Sequence, residues 1–308
     1  MPTDGVILVR NRVFAANTET TTGTSIALTG ADGVFNVFNP DFKSEIPPSE
    51  RMGQGSLTRL APIPGARMGK YTFKTELYNA ATTPFIWSRL LLACGFQVTT
   101  GVYTPLTSML NTLTLGMYQG DSSRFKSIAG AMGNLKITGE TGKPAYMDWE
   151  FTGKHLAPAT ATKIAPTYPT TVPARVAGIT LSLGGATTYR AGKFELDLGN
   201  KVVMRQDVTD ITGYRAATIT DRNPKFKISV ESLPLATHDF FADHLASTTA
   251  ALSIVIGSGL NGTVTITANN LQLINPPNDE DRDGINLDAL EFVCTSTTAD
   301  SELSLTLS

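Results

Sequence analysis

The chain has 308 residues, 41% apolar and only 17% charged, and its 25 Lys and Arg nearly cancel 27 Asp and Glu for a formal net charge of −2. That balance argues against a basic surface for clasping DNA or anionic lipid and against an acidic disordered tail, while the apolar share is ample for a buried core. Two cysteines, Cys94 and Cys294, exclude a disulfide framework and fit folding in a reducing compartment.

In chain order, residues 1–12 hold one short apolar run, Val6–Val9, with no cleavage-site pattern, so no secretion signal is expected. No apolar run approaches the length of a membrane span. Residues 39–66 carry Pro40, Pro47, Pro48, Pro62 and Pro64 with little periodicity and read as a long connection, of the kind that is functional or ordered by a partner. Tyr71, Phe73, Thr75 and Leu77 then alternate with Thr72, Lys74 and Glu76, the period of a half-buried strand. A helix follows: Thr83 can cap it, Pro84 suits its first position, Gly95 can end it, and Trp87, Leu90, Leu91 and Cys94 form one apolar stripe. Met147, Trp149 and Phe151 alternate with Asp148, Glu150 and Thr152 in a second clear strand.

Residues 157–175, with Pro158, Pro166, Pro169 and Pro173, resist regular structure and are the expected boundary between a first unit (1–158) and a second (176–308), with 159–175 as linker. A second long connection is expected at 200–224, carrying Arg205, Asp207, Asp210, Arg215, Asp221 and Arg222. Phe226, Ile228 and Val230 form another alternating strand. A short helix is expected from about His238 to Ser247, with Thr237 as cap, Phe241 and Leu245 on its buried side and Phe240 at the margin. Val264, Ile266 and Ala268 alternate with threonines, and Leu303, Leu305 and Leu307 end the chain in the same pattern. Between 287 and 294 the apolar phase slips at Ala289–Leu290, which suggests a bulge. The class is mainly β, with one helix in each half.

The halves also resemble each other. At an offset of 155 positions Lys70, Glu76, Ala81, Thr82, Phe85 and Leu90 meet Lys225, Glu231, Ala236, Thr237, Phe240 and Leu245; at 141, Glu150 and Phe151 meet Glu291 and Phe292. A longer connection in the first half, around 97–111, would account for the change of offset. A duplicated strand–helix–strand unit is the simplest reading.

Motifs that carry chemistry are weak. The run Asp279–Gly284 opens like a calcium-binding loop, but Leu290 stands where the bidentate Glu belongs and Glu291 is one step too far, so a turn between strands is expected. The stretch from Pro64 to Lys70 lacks the first glycine of a phosphate loop and leads into a strand. His155, His238 and His244 have no metal-ligand spacing, and Ser123 with Lys126 lacks the helix its chemistry needs. Asn261-Gly262-Thr263 reads as a tight hairpin turn. The enzymatic reading is poor: no catalytic residue, no metal ligand and no cofactor is expected. A two-domain β-sandwich binding module, carbohydrate-binding or adhesive, is the rival; it would need exposed aromatics in loops, whereas Trp87 and Trp149 read as core.

The ordered series Leu91–Phe96, Ala129–Asn134, Gly142-Lys143-Pro144, Trp149–Gly153, Phe194–Asn200, Ile219–Pro224, Asp239–Ala242 and Asp283-Gly284-Ile285 resembles the tail tube (major tail) proteins of long-tailed, siphovirus-type bacteriophages. The resemblance runs from about residue 85 to the end. It implies two tandem tail-tube-type β-sandwich or barrel units, each with a flanking helix, in a structural virion protein of the tail that is assembled in the host cytoplasm. Rings in this family carry six units, so two units per chain imply trimeric, pseudo-sixfold rings stacked into a tube, through which genome DNA passes without specific binding. The implied partners are further copies of the chain and other tail proteins such as the tape measure, terminator and distal tail proteins, with no membrane. The tubes of contractile tails and of secretion systems share the fold and stay open as alternatives. Glu50, Arg51, Arg59, Arg205, Asp207, Arg215, Asp221 and Arg222 are the candidate contacts between subunits or rings. Asp148, Glu150, Glu195 and Asp197 are the candidate lumen-facing carboxylates, since a conduit for a polyanion is expected to be neutral to acidic.

Overall fold

The computed structural model describes residues 6–33, 35–53, 55, 57–78, 86–170, 172–178, 180–184, 186, 189–257 and 262–307. The first half runs β1 (Arg12–Thr18), β2 (Phe38–Glu45), β3 (Pro48–Met52), β4 (Arg59–Pro64), β5 (Met68–Glu76), α1 (Ile86–Ala93), β6 (Phe96–Thr99), β7 (Val102–Pro105), β8 (Leu113–Gln119), β9 (Arg124–Glu140) and β10 (Tyr146–His155). The second runs β11 (Thr180–Leu183), β12 (Ala191–Asp197), β13 (Asn200–Gln206), β14 (Tyr214–Arg222), β15 (Lys225–Glu231), α2 (Phe240–Ala246), β16 (Thr249–Ile256), β17 (Val264–Leu273), β18 (Asn278–Arg282), β19 (Ile285–Thr295) and β20 (Ser304–Leu307).

Both halves use one pairing scheme, all antiparallel. In the first, β1 pairs β8, β8 pairs β9, β9 pairs β10, β10 pairs β5 and β5 pairs β2. In the second, β11 pairs β16, β16 pairs β17, β17 pairs β19, β19 pairs β15 and β15 pairs β12. Trp149 opposite Phe73 thus corresponds to Leu290 opposite Ile228. The helix falls after β5 in one half and after β15 in the other. β9 is a single strand of 17 residues. In the second half its place is divided between β17 and β18, both of which pair β19, with Pro276 and Pro277 in the gap because proline cannot donate to a ladder.

The halves are joined edge to edge. Lys193 to Asp197 of β12 pair Glu140 to Lys136 of β9, so β2-β5-β10-β9-β12-β15-β19-β18 form one continuous run of strands. At this seam a side chain on Gly139 would come within 2.2 Å of the Phe194 ring, so the glycine lets that ring lie across the junction. A second tie lies elsewhere: the C-terminal β20 pairs β17 on one side and β7 on the other. The expected long connection at 97–111 therefore contains the β6–β7 hairpin.

The core is what alternation predicts. Phe73, Trp149, Phe151, Leu135, Ile137, Phe194, Phe226, Ile228, Leu290 and Phe292 are buried on one side of the run, and Trp149 Nε1 donates to Thr75 Oγ1 at 2.8 Å. Trp87, Leu90, Leu91 and Cys94 are buried as expected, and Gly95 ends α1 at φ +83. Thr83, Pro84, and the matched residues Ala81, Thr82 and Phe85 lie outside the described residues, as does Asn261 of the expected hairpin turn.

Several expectations need correction. The stretches 39–66 and 200–224 are not irregular loops: the first contains β2 and the β3–β4 hairpin, the second the β13–β14 hairpin. In α2 it is Phe240 that is buried (7% exposed), packed on Tyr189 and beside His238, while Phe241 and Leu245 are 53% and 70% exposed. Asp239, not Thr237, caps this helix, accepting from the Ala242 N–H at 3.0 Å. No bulge interrupts β19: its register with β15 is continuous from Leu287 to Val293. The phase slips because Leu287 is buried on the opposite face, in a cavity shared with Glu231, Glu280 and Arg282.

Candidate functional site

The buried side of the eight-strand run leaves the alternate side chains on a second, polar face. There six lysines meet a carboxylate from another strand, while Lys43 of β2, opposite Lys70, has no carboxylate partner among the described residues. Lys70 pairs Glu150 at 2.6 Å and Lys74 pairs Asp148 at 2.9 Å. Lys136 lies 3.1 Å from Glu195 and 3.6 Å from Asp197, across the β9–β12 seam. Lys225 and Lys227 both reach Glu291, at 3.3 and 3.5 Å. Lys193 stands 4.0 Å from Glu280, and Arg282 3.5 Å from Glu231. Partial burial alone would pull the Lys136 ammonium down, yet Glu195 and Asp197 together outweigh it and hold its pKa above the ordinary value. At Glu291 burial would raise the pKa, and the two lysines together hold it below the usual carboxylate value. The four expected lumen carboxylates, Asp148, Glu150, Glu195 and Asp197, thus share one face, each engaged by a lysine that sequence reasoning had not assigned to it.

The two hairpins occupy equivalent places, β3–β4 between β2 and β5 and β13–β14 between β12 and β15, but their surroundings differ. β13–β14 lies over the first half as a clasp. Asp210 in its turn accepts from Lys154 of β10 at 2.7 Å. The Arg67 N–H donates to the Thr212 carbonyl at 2.8 Å and its guanidinium to Ile211 O at 3.2 Å. Asn200 Nδ2 donates to Cys94 O at 2.8 Å and Gly133 O at 3.0 Å, and Ala216 and Ala217 are fully covered. The Lys154 ammonium, with hydrogen bonds from Thr212, holds the Asp210 carboxyl down to about 2. β3–β4 is likewise a two-stranded sheet of its own, but every residue of both its strands is exposed, with Leu57 nearby. This arm carries Met52, Leu60 and Ile63 into solvent.

The expected contact residues separate accordingly. Glu50 and Arg59 pair with each other at 2.7 Å on the exposed arm, beside exposed Arg51. Arg205, Arg215 and Asp221 are exposed on the clasp, and Asp207 is half-buried, accepting from Thr209, whose hydrogen bonds hold its carboxyl below the usual value. Arg222 is committed within the chain: it donates to Glu302 at 2.5 Å and Asp300 at 3.1 Å and lies near Leu106 O. No local pattern announces Lys154 with Asp210 or Asn200 with Cys94, because their partners stand far along the chain.

Chemistry-bearing motifs resolve into structure. Asp279–Gly284 is β18 and a tight turn at Asp283-Gly284 into β19. Among the described residues no group of three His, Cys, Asp or Glu is arranged to hold a metal ion. Both cysteines are buried thiols, Cys294 pushed up to about 12 by burial and by Glu302. His155 donates or accepts at Ser44 Oγ, 2.9 Å away, under Phe42. No described helix is long and apolar enough to cross a membrane.

The architecture is thus two sheet-plus-helix units joined edge to edge, with one polar face and one exposed arm. A family model described as phage tail tube protein matches residues 10–296, nearly the whole length, and the chain belongs to that family. Its role is accordingly that of a structural component of the virion tail. No match is found among curated proteins.

Proposed function

We propose that this chain is the ring-forming subunit of a phage tail tube that delivers genome DNA into the host. Each chain supplies two ring units, 1–158 and 176–308, joined through 159–175. Three chains close a pseudo-sixfold ring, and rings stack head to tail, a heterologous contact that propagates into a filament. Assembly takes place in the host cytoplasm, with the tape measure, terminator and distal tail proteins as partners.

The observation that carries this reading is the β9–β12 seam, where one unit completes the strand edge of the next and the two polar faces become continuous. Repeating that junction leads naturally to a closed barrel lined by the polar face. On that face the lysines other than Lys43 are already answered by carboxylates, so a passing duplex meets few unpaired cations, and without them little affinity holds it back.

Negative-stain microscopy of the purified chain after concentration tests the proposal. Rings or tubes of uniform width with a central channel are expected; a persistent monomer at all concentrations would overturn it.

A further inference from the structure

β2 is held on one edge only: β5 pairs it there, and among the described residues no strand pairs the other edge. Two of its side chains, Phe42 and Ser44, are nevertheless gripped from a strand that β2 does not touch. His155 ends β10, on the far side of β5. Its imidazole crosses β5 to bring Nδ1 within 2.9 Å of Ser44 Oγ, with 5.1 Å between its ring centre and that of Phe42. The crossing lies where Gly69 of β5 stands between Gly153 and Ser44. A Cβ on Gly69 would press on Phe42 at 3.1 Å and on Ile128 at 2.7 Å, so only glycine leaves the passage open. Phe42 also packs on Tyr71, with ring centres 4.7 Å apart. The β3–β4 arm continues from this strand at Pro48.

The surroundings suit a neutral ring. His155 is 7% exposed, and its Nε2 is buried without a hydrogen-bond partner. An imidazolium donates from both nitrogens, and nothing stands at Nε2 to accept. The charges that act on the ring are both cations: Arg67, whose carbonyl accepts from the His155 N–H at 3.1 Å, and Lys126 of β9, whose ammonium lies 5.4 Å from the centre of the Phe42 ring. From β5 comes Tyr71, whose hydroxyl donates to Lys126 O at 2.8 Å, and opposite His155 on β9 stands the apolar Ile128. Lys43 and Glu45 alternate with Ser44 and so belong to the other face of β2, while Lys154 is engaged by Asp210 at 2.7 Å. Burial first, then Arg67 and Lys126, hold the His155 pKa below its ordinary value of 6.5.

From this geometry we infer that His155 is an acid-operated latch on β2: a proton on the buried ring, facing two cations and no acceptor, releases the edge strand together with the arm it carries. The released form binds that proton more tightly than the latched one. The tie is therefore complete above about pH 6.5 and weakens as the pH falls below it, the opening equilibrium growing by up to about tenfold per pH unit. The latch belongs to the single chain and stands or falls independently of ring formation.

Amide exchange of the full-length chain, followed from about pH 8 to about pH 5 and corrected for the intrinsic rate, is the test. Opening of β2, read in peptides covering 38–45, is expected to grow by up to about tenfold per unit below about pH 6.5 while the middle of β10 stays protected. His155→Phe keeps an aromatic ring against Phe42 and takes up no proton, so it should abolish the acid step. Lys126→Gln withdraws one repelling cation and should move the step to higher pH, a shift that a purely structural role for Lys126 would not produce. No step in the parental chain, or a step that survives unchanged in His155→Phe, would overturn the latch. Should His155→Phe fail to fold, Lys126→Gln decides: a shifted midpoint supports the latch and an unmoved one overturns it.

Discussion

At Glu19 a buried carboxylate gathers four donors: the N–H groups of Gly23 at 2.8 Å and Gly130 at 2.7 Å, and the hydroxyls of Thr112 at 2.7 Å and Thr114 at 2.9 Å. It ties the loop after β1 to β8 and to the bend of β9, the place where the clasp rests. Removing it leaves those donors buried without an acceptor, a larger penalty than the net worth of the bonds. Glu19→Ala is expected to lower stability by about 3 kcal/mol in urea denaturation, with a change well under this at exposed Glu50. At the same scale, single aromatic positions were the most legible part of the sequence. Trp149 sits in an alternation whose phase fixes its face, and Trp87 on a helical stripe of four apolar residues. Phe240 and Phe241 defeated periodicity because α2 has only seven residues and its orientation is chosen by Tyr189 and His238, contacts that no local pattern encodes.

Hairpins illustrate what elements conceal. An exposed two-stranded ribbon has no buried face, so β3 and β4 lack the alternation that reveals β5, and their prolines mimic a loop. The clasp hides for another reason, since its anchors Lys154, Arg67 and Cys94 belong to the other half. Its turn is sensitive to acid. The Asp210 carboxyl, held at about 2 by Lys154, titrates below its unfolded value of 3.8. Its contribution is therefore fully present above about pH 4 and is lost as the pH falls towards 2. Amide exchange in 207–214 is expected to accelerate over that window, and Asp210→Asn should show fast exchange at neutral pH with the acid step removed. An unchanged acid step in the variant would mean that another group governs the clasp.

For the whole molecule, the class and the duplication were legible because strand alternation and a few aligned identities suffice for both; the seam was not, since pairing between Lys136 and Asp197 leaves no trace in either strand taken alone. The charge-compensated face makes a prediction at this scale. Glu195→Gln with Asp197→Asn leaves Lys136 without its carboxylates, and repeated around a tube it supplies a circle of free ammonium groups. Tubes of this variant should retain duplex DNA at low salt and release it steeply as salt rises, while parental tubes retain none. Equal retention by both would separate charge balance from passage.

In the proposed ring two units share one polypeptide, so half of its junctions would be made during folding, before any encounter in solution. The second unit meets the first at the high effective concentration of a tether. In a three-chain ring, closure is thus a three-body event where a single-unit subunit would need six. Nucleation then keeps pace at far greater dilution, and a ring missing one unit cannot arise.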